Sequence, residues 1–282
     1  MKIAIASGKG GTGKTTIATN LAYYIAQSGE NVQYIDCDVE EPNGHIFLKP
    51  KIEEKDTVTV GVPDVDLKKC NMCGKCAEFC QYNAIACLKN NILVFEELCH
   101  SCGGCMMICP CGAMCEKQRA IGVAEFGVAG NIKFGHGKLN VGAIQTPALI
   151  KYVKKKANIN GVVVIDVPPG TSCPVIEAIK NVNFVVLVTE PTPFGLNDLE
   201  LAVGMVRTIG IPFGVAINRC DIGDGRVVAY CKEERIDILL EIPHNRKIAE
   251  NYSNGNMILQ IMPELNEKFE TLYNLINRQI NV

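Results

Sequence analysis

The chain has no tryptophan and only four histidines among its 282 residues, and aromatic side chains make up 6% of it. Long apolar runs are also missing. Val162 to Val167 and Phe184 to Val188 fall well short of the ~20 residues that a membrane-spanning helix needs, so no membrane insertion is expected. Charge of either sign is scarce in excess: 28 basic against 30 acidic residues leave a net charge of -2. Nucleic-acid affinity rests on many lysine and arginine contacts to phosphates, and this balance argues against it. The basic cluster, Lys151 with Lys154 to Lys156, ends a helical pattern and reads as a solvated helix C-terminus favoured by the dipole. No secretory leader is expected either, because Lys2 runs directly into an apolar strand, and a cytoplasmic setting follows.

Cysteine is what the chain has in excess, with fifteen. A reducing compartment does not sustain a disulfide framework, so metal ligation is the better reading of them. Cys70, Cys73, Cys76 and Cys80 make C-x2-C-x2-C-x3-C, and Cys99, Cys102, Cys105 and Cys109 repeat it, followed by Pro110. This is the bacterial two-cluster ferredoxin spacing, in which the fourth cysteine of each run ligates the other cluster. Cys70, Cys73, Cys76 and Cys109 are therefore assigned to one 4Fe-4S cluster, and Cys99, Cys102, Cys105 and Cys80 to the second. Structural zinc sites use paired C-x2-C units instead. Gln81 stands where the usual proline would follow Cys80, which affects local geometry and no ligand. Of the seven remaining cysteines, Cys37, Cys87, Cys220 and Cys231 read as small buried hydrophobes. Cys111 and Cys115 share that reading but lie close enough to Cys109 to be auxiliary ligands, and Cys173 lies apart from both runs, seven residues after Asp166.

A second motif opens the chain. Gly8-Lys9-Gly10-Gly11-Thr12-Gly13-Lys14-Thr15 follows the apolar run Lys2 to Ser7 and precedes a helical pattern from Lys14 to about Gln27. Strand, glycine loop and helix are the context in which G-x-x-x-x-G-K-[ST] holds phosphates. Consecutive backbone N–H groups point into one concavity, and the helix N-terminus adds partial positive charge. Lys14 would reach the β and γ phosphates, Thr15 would ligate Mg2+, and Thr16 would adjoin them. The strand Val32 to Asp36 then ends at Asp36-Cys37-Asp38, with two acids on one side by the period of two. Another buried strand, Gly161 to Asp166, ends in one acid and leads to Val167-Pro168-Pro169-Gly170.

The early Lys9, in K-G-G-T-G-K-T-T, resembles the deviant Walker A signature of the MinD/ParA/Mrp superfamily of P-loop ATPases, as D-C-D-V-E-E-P-N and D-V-P-P-G also do. The resemblance covers nearly the whole chain. It implies an α/β fold with a doubly wound, mainly parallel sheet, interrupted by an inserted two-cluster ferredoxin domain. The expected division is an ATPase part over 1–61, the insertion over 62–118 and the rest of the ATPase over 119–282. Alternating strand and helix patterns agree independently with a parallel sheet.

The resemblance further implies a homodimer sandwiching ATP, with Lys9 and Lys14 on the phosphates and Gly8 to Thr16 as the nucleotide cradle. Asp38 would position the attacking water, Asp36 would sit nearer Mg2+, and Asp166 would hold Mg2+ through water. Pro169 and Gly170 form the switch, Asn218 and Arg219 meet the base, and Pro243 passes beside it. Cys173, seven residues after Asp166, resembles a ligand of a cluster bridging two subunits, although the matching loop holds His136 and no second cysteine. His136 itself, between Gly135 and Gly137, reads as part of a surface loop. Thr146-Pro147 should start a helix. The helix from Glu264 to about Ile280 should bury Phe269, Leu272, Tyr273 and Ile276.

The leading expectation is ATP-gated electron transfer through two clusters to a protein partner, one that handles a metal cofactor being an example. The alternative is an iron-sulfur carrier or scaffold of the Mrp type. A ParA-like organising role would leave two redox centres without purpose.

Overall fold

The computed structural model describes residues 1–157 and 160–280. The chain begins with β1 (Lys2–Ala6), α1 (Lys14–Gln27), β2 (Val32–Asp36), a short α2 (Gly44–Leu48) and β3 (Lys51–Val65). The cysteine-rich stretch holds α3 (Lys75–Phe79), β4 (Ile85–Leu88), β5 (Asn91–Val94) and α4 (Gly104–Ile108). Next come β6 (Met114–Ala129), β7 (Ile132–Leu139), α5 (Thr146–Lys155), β8 (Val162–Asp166), α6 (Cys173–Ile179), β9 (Phe184–Thr189) and α7 (Pro193–Ile209). The chain closes with β10 (Phe213–Asn218), α8 (Arg226–Glu233), β11 (Ile238–Ile242), α9 (Arg246–Ser253), α10 (Ile258–Ile261) and α11 (Asn266–Ile280).

Among the described residues, one nine-stranded sheet runs in the order β11-β10-β9-β1-β8-β2-β7-β6-β3. It is parallel from β11 to β7, and β6 turns back antiparallel to both β7 and β3. Both faces of its centre are covered, which is why these strands read as continuous apolar runs. Strand alternation divides the core in two. Ile3, Ile5, Tyr34, Val162 and Val164 face α1 and α11, while Ala4, Ile35, Val163 and Ile165 face α5, α6 and α7. The final helix buries Phe269, Leu272, Tyr273 and Ile276, as its period requires.

Two local expectations are corrected. Gly135-His136-Gly137 is no surface loop: it lies within β7, and His136 is 1% exposed. The glycines are there for close packing, since a Cβ on Gly137 would stand 2.8 Å from Val39 Cγ1 and one on Gly135 2.8 Å from Phe126 Cδ1. Nor is the lysine cluster uniformly solvated. Lys154 Nζ donates to the Glu177 and Lys180 carbonyls at 2.6 and 2.9 Å, capping the end of α6, and Lys156 pairs with Glu54 and Asp56.

β3 and β6 form a long antiparallel ribbon, paired from Lys51 opposite Val128 to Val65 opposite Met114 with register shifts at Ile52/Glu54 and Val58/Thr59. Residues 61/62 and 118/119 therefore fall inside strands, and the edge of the main sheet passes without a linker into the cysteine-rich unit. That unit has its own β4–β5 hairpin and a small core of Cys76, Ile85, Ile92, Cys105 and Met114.

Truncating Phe269 to alanine at the buried face of α11 should cost about 3–5 kcal/mol, read as a lowered denaturant midpoint. Glu270→Ala, next to it on the exposed face, should stay within about 0.5 kcal/mol.

Candidate nucleotide and metal sites

β1 ends at Ala6, and the Ser7 hydroxyl donates to the Lys9 carbonyl at 2.5 Å, turning the chain into the glycine loop. Two glycines are required by geometry. Gly13 precedes α1 with φ 96°, a left-handed value that suits glycine, and a Cβ on Gly8 would lie 2.1 Å from the Asp198 carbonyl oxygen of α7. Lys14 starts α1 and is 7% exposed. Burial lowers its pKa, against the opposing pull of Asp166, Asp38 and Asp36.

The loop borders a cleft of about 380 Å³. Gly10, Gly11, Gly13, Lys14, Thr15, Thr16, Asp38, Pro169, Asn218, Arg219 and Pro243 all line it. The wall formed by Ile248, Ala249 and Tyr252 of α9 was not legible in the sequence, because α9 has no motif and presents no fully buried residue. Gly8, Lys9 and Thr12 are not among the residues that line the cleft, and Lys9 is half-exposed. The Asn218 amide donates to the Thr12 carbonyl at 2.9 Å, and its oxygen accepts from the Arg219 backbone N–H at 3.1 Å. In this arrangement its side chain braces the loop from β10. Gly170, at φ 98°, donates its N–H to the Ser7 carbonyl at 3.0 Å, placing the switch segment directly against the start of the loop.

β2 and β8 are in parallel register, with Asp36 opposite Asp166. The two carboxylates take different roles. Asp36 is fully buried, and its oxygens accept from the N–H groups of Asp38 at 3.0 Å and Gly44 at 2.9 Å. Each of its oxygens thus already carries a backbone donor, so in place of the expected position nearer Mg2+ Asp36 serves as an anchor for the 38–44 loop. Asp166 Oδ2 accepts from the Tyr34 hydroxyl at 3.0 Å, while Oδ1 is buried with no hydrogen-bond partner among the described residues. Burial raises the Asp166 pKa, with Thr15, Lys14 and Tyr34 acting against it. An orphaned carboxylate oxygen beside a P-loop threonine fits a hard divalent cation, and Thr15 and Asp166 are the residues that would hold it. Tyr34, which fixes that carboxylate, carried no sequence signal beyond being apolar and mid-strand. Asp38 faces the cleft, and burial followed by the Asp166 charge raises its pKa to about 6.

The cysteines gather as the spacing requires. Cys70, Cys73, Cys76 and Cys109 line one cavity, together with Cys111, and Cys80, Cys99, Cys102 and Cys105 line another. Each fourth cysteine thus crosses to the other run. The backbone repeats as well: Met72 and Gly74 have φ 55° and 74°, Ser101 and Gly103 have 55° and 73°, and the positive values recur at Asn83 and Gly112. Ala84 N–H donates to Cys80 Sγ at 3.4 Å, and Ala113 N–H donates to Cys109 Sγ at 3.3 Å. Such donors stabilise thiolates. All fifteen cysteines are free.

Among the described residues, no three His, Cys, Asp or Glu side chains converge on a point that could hold a single metal ion. Four cysteine thiols around each of two cavities make a donor set that fits a polynuclear cluster. Cys173, the first residue of α6, is exposed and apart from both cavities, and Cys115 is exposed on β6.

Strand, phosphate loop, paired acids and parallel sheet define a P-loop ATPase of the MinD type. The chain belongs to the CobQ/CobB/MinD/ParA nucleotide binding domain family, which matches residues 3–258. It is 29% identical over 275 residues to an uncharacterized protein of Methanocaldococcus jannaschii, covering 92% of both chains. It is also 25% identical over 265 residues to the iron-sulfur cluster carrier protein of Pyrococcus abyssi, covering 88% of this chain and 76% of that one. The cell division ATPase MinD of Pyrococcus furiosus has the same fold, with a TM-score of 0.61, 21% identity and 98% of both chains covered. Among the described residues no helix is long and apolar enough to cross a membrane.

Lys14→Ala should weaken ATP binding by at least about 100-fold in equilibrium titration, since it removes the buried charge-assisted donor in the loop. For Asp38, the folded carboxyl titrates near 6 instead of 3.8, so between these values the folded chain holds a proton the unfolded chain has lost. Its contribution is therefore destabilising above pH 6 and relieved on acidification. Asp38→Asn should stabilise the nucleotide-free protein by about 1–2 kcal/mol at pH 7.5, a gain that fades as pH falls from 6 to 4 in denaturant titrations.

Proposed function

We propose that this protein is an ATP-hydrolysing iron-sulfur protein whose nucleotide state controls electron transfer to a protein partner. The observation that carries this reading is the crossed set of eight cysteines at the end of a ribbon continuous with the ATPase sheet. Each set draws ligands from both runs, which favours resident groups over cargo. Two 4Fe-4S clusters, when bound there, supply one-electron storage.

The chain's own residues do the rest. Backbone N–H groups of the glycine loop and Lys14 receive the ATP phosphates, and Lys14 offsets the charge that grows on the γ-phosphoryl group. Asp38 orients the attacking water. At neutral pH it is mostly ionised, with a pKa near 6 that suits accepting a proton. Lys9 lies outside its own cleft, in keeping with a reach towards a facing copy of the chain across a shared ATP. Gly170, bonded to Ser7, lets the switch register an occupied loop.

A second reading is favoured by the Pyrococcus abyssi relative, whose name is iron-sulfur cluster carrier protein, and by the exposed Cys173. In it the ATPase would deliver a cluster as its substrate. Anaerobic isolation separates the two. Electron transfer predicts about eight irons per chain, two groups of four, retained when an apo acceptor is added and only oxidised by it. Movement of iron to the acceptor supports carriage, and a chain isolated without iron or sulfide contradicts both. Asp38→Asn should lower hydrolysis at least about 100-fold while keeping nucleotide affinity, measured by phosphate release and equilibrium binding.

A further inference from the structure

Two hydrogen bonds from consecutive residues join parts of the molecule that the sequence keeps far apart. The Gln145 side chain, 6% exposed, donates from Nε2 to the carbonyl of Cys99 at 2.6 Å. Cys99 is one of the four cysteines around the second cavity, and it packs with Ala84 into the hydrophobic core of the ATPase sheet. The next residue, Thr146, 5% exposed, donates its hydroxyl to Glu40 Oε1 at 3.0 Å. Glu40 belongs to the turn closed by the Glu41 N–H donating to the Asp38 carbonyl at 3.1 Å, and Asp38 lines the nucleotide cleft. Thr146 also borders a cavity of about 220 Å³ shared by Asp38, Glu40, Pro168 and Pro169, so both loops flanking the nucleotide face it.

We infer that Gln145 and Thr146 are positioning residues that transmit the state of the nucleotide cleft to the cysteine loop of the second cluster. The inference rests on the reading that the cleft takes ATP and that Cys99 is a cluster ligand, and it adds which contacts connect them. Mg-ATP brings charge to Asp38 and displaces or orders its turn, and Glu40 moves with that turn because they share one backbone loop. Thr146 and Gln145 begin α5, whose Leu149, Ile150 and Val153 are fully buried. A shift at Thr146 is therefore passed to its neighbour as a rigid displacement and is not absorbed by a loose loop. Gln145 has little freedom to take it up, because its Oε1 accepts from the Ile144 N–H at 3.2 Å while Nε2 holds the Cys99 carbonyl. The cluster at the other cavity, around Cys70 and Cys109, has no such contact among the described residues, so the effect is specific to the second. Coupling of this kind needs a differential contact in the two nucleotide states, and the Glu40–Thr146 bond is that contact.

The test is hydrogen–deuterium exchange of the anaerobically isolated full-length protein, with and without a non-hydrolysable ATP analogue and Mg2+, following the peptide 97–105. The wild type should show an exchange-rate change of about threefold or more in that peptide on adding nucleotide. Glu40→Ala, at an exposed side chain, and Gln145→Ala should each lose that change, while nucleotide affinity stays within about threefold of wild type. Thr146→Ser, which keeps the hydroxyl, should retain it. A wild type with no nucleotide-dependent change at 97–105, or a Glu40→Ala protein that keeps all of it, overturns the inference. Iron content is measured on the same samples: its absence would refute the cluster reading, while the exchange result judges the relay alone.

Discussion

The structure depends on the placement of two carboxylates, Asp36 and Asp166, opposite one another at the ends of adjacent parallel strands with almost no exposure. Burial raises the pKa of both, the Asp166 charge adds to the rise at Asp36, and two carboxylates so dry cannot both stand ionised without compensation. The fold answers with Lys14 at the start of α1, with backbone donors to Asp36 and with the Tyr34 hydroxyl on Asp166. Among the described residues one oxygen, Asp166 Oδ1, is left without a hydrogen-bond partner, and this carboxylate stands beside Thr15 of the phosphate loop. An ATPase centre arises here because the residual electrostatic demand is met by a ligand, and stability is lower without it.

Much of this was legible from residue order. The phosphate loop, the acid-ended strands and the two cysteine runs each pair a local backbone shape with a chemistry, so they read without knowledge of the fold. The crossing of Cys80 and Cys109 between cavities likewise follows from spacing. What did not read was set by packing between distant segments. His136 looked like a loop residue because glycines flank it, yet those glycines make room for Val39, Leu149 and Phe126 in a strand interior. The family resemblance put Asp36 nearer Mg2+, yet two backbone amides occupy its oxygens. Asn218 lines the cleft, and the bond by which its amide also braces the loop carried no signal in the sequence. β3 carries Val58, Val60 and Val62 at period two, but the charged residues of its first half and the cysteines after it obscured the strand.

The cysteine-rich unit is joined to the ATPase by more than chain continuity. β3 and β6 run unbroken from the main sheet into it, Cys99 and Ala84 sit in the large core, and Arg119 on β6 donates to the Glu96 carbonyl. A module tethered by a flexible linker would tumble independently of the nucleotide. This one shares a sheet edge with the ATPase and a buried hydrogen bond from Gln145 to the Cys99 carbonyl.

The central claim, that one polypeptide carries a phosphate-reading switch governing two iron-sulfur clusters, is tested most directly by potentiometric titration of the anaerobic protein with and without Mg-ATP. The account predicts that nucleotide moves the midpoint potential of one cluster and leaves the other nearly fixed. Two unchanged potentials, with partner docking and transfer rate also indifferent to ATP, would contradict it.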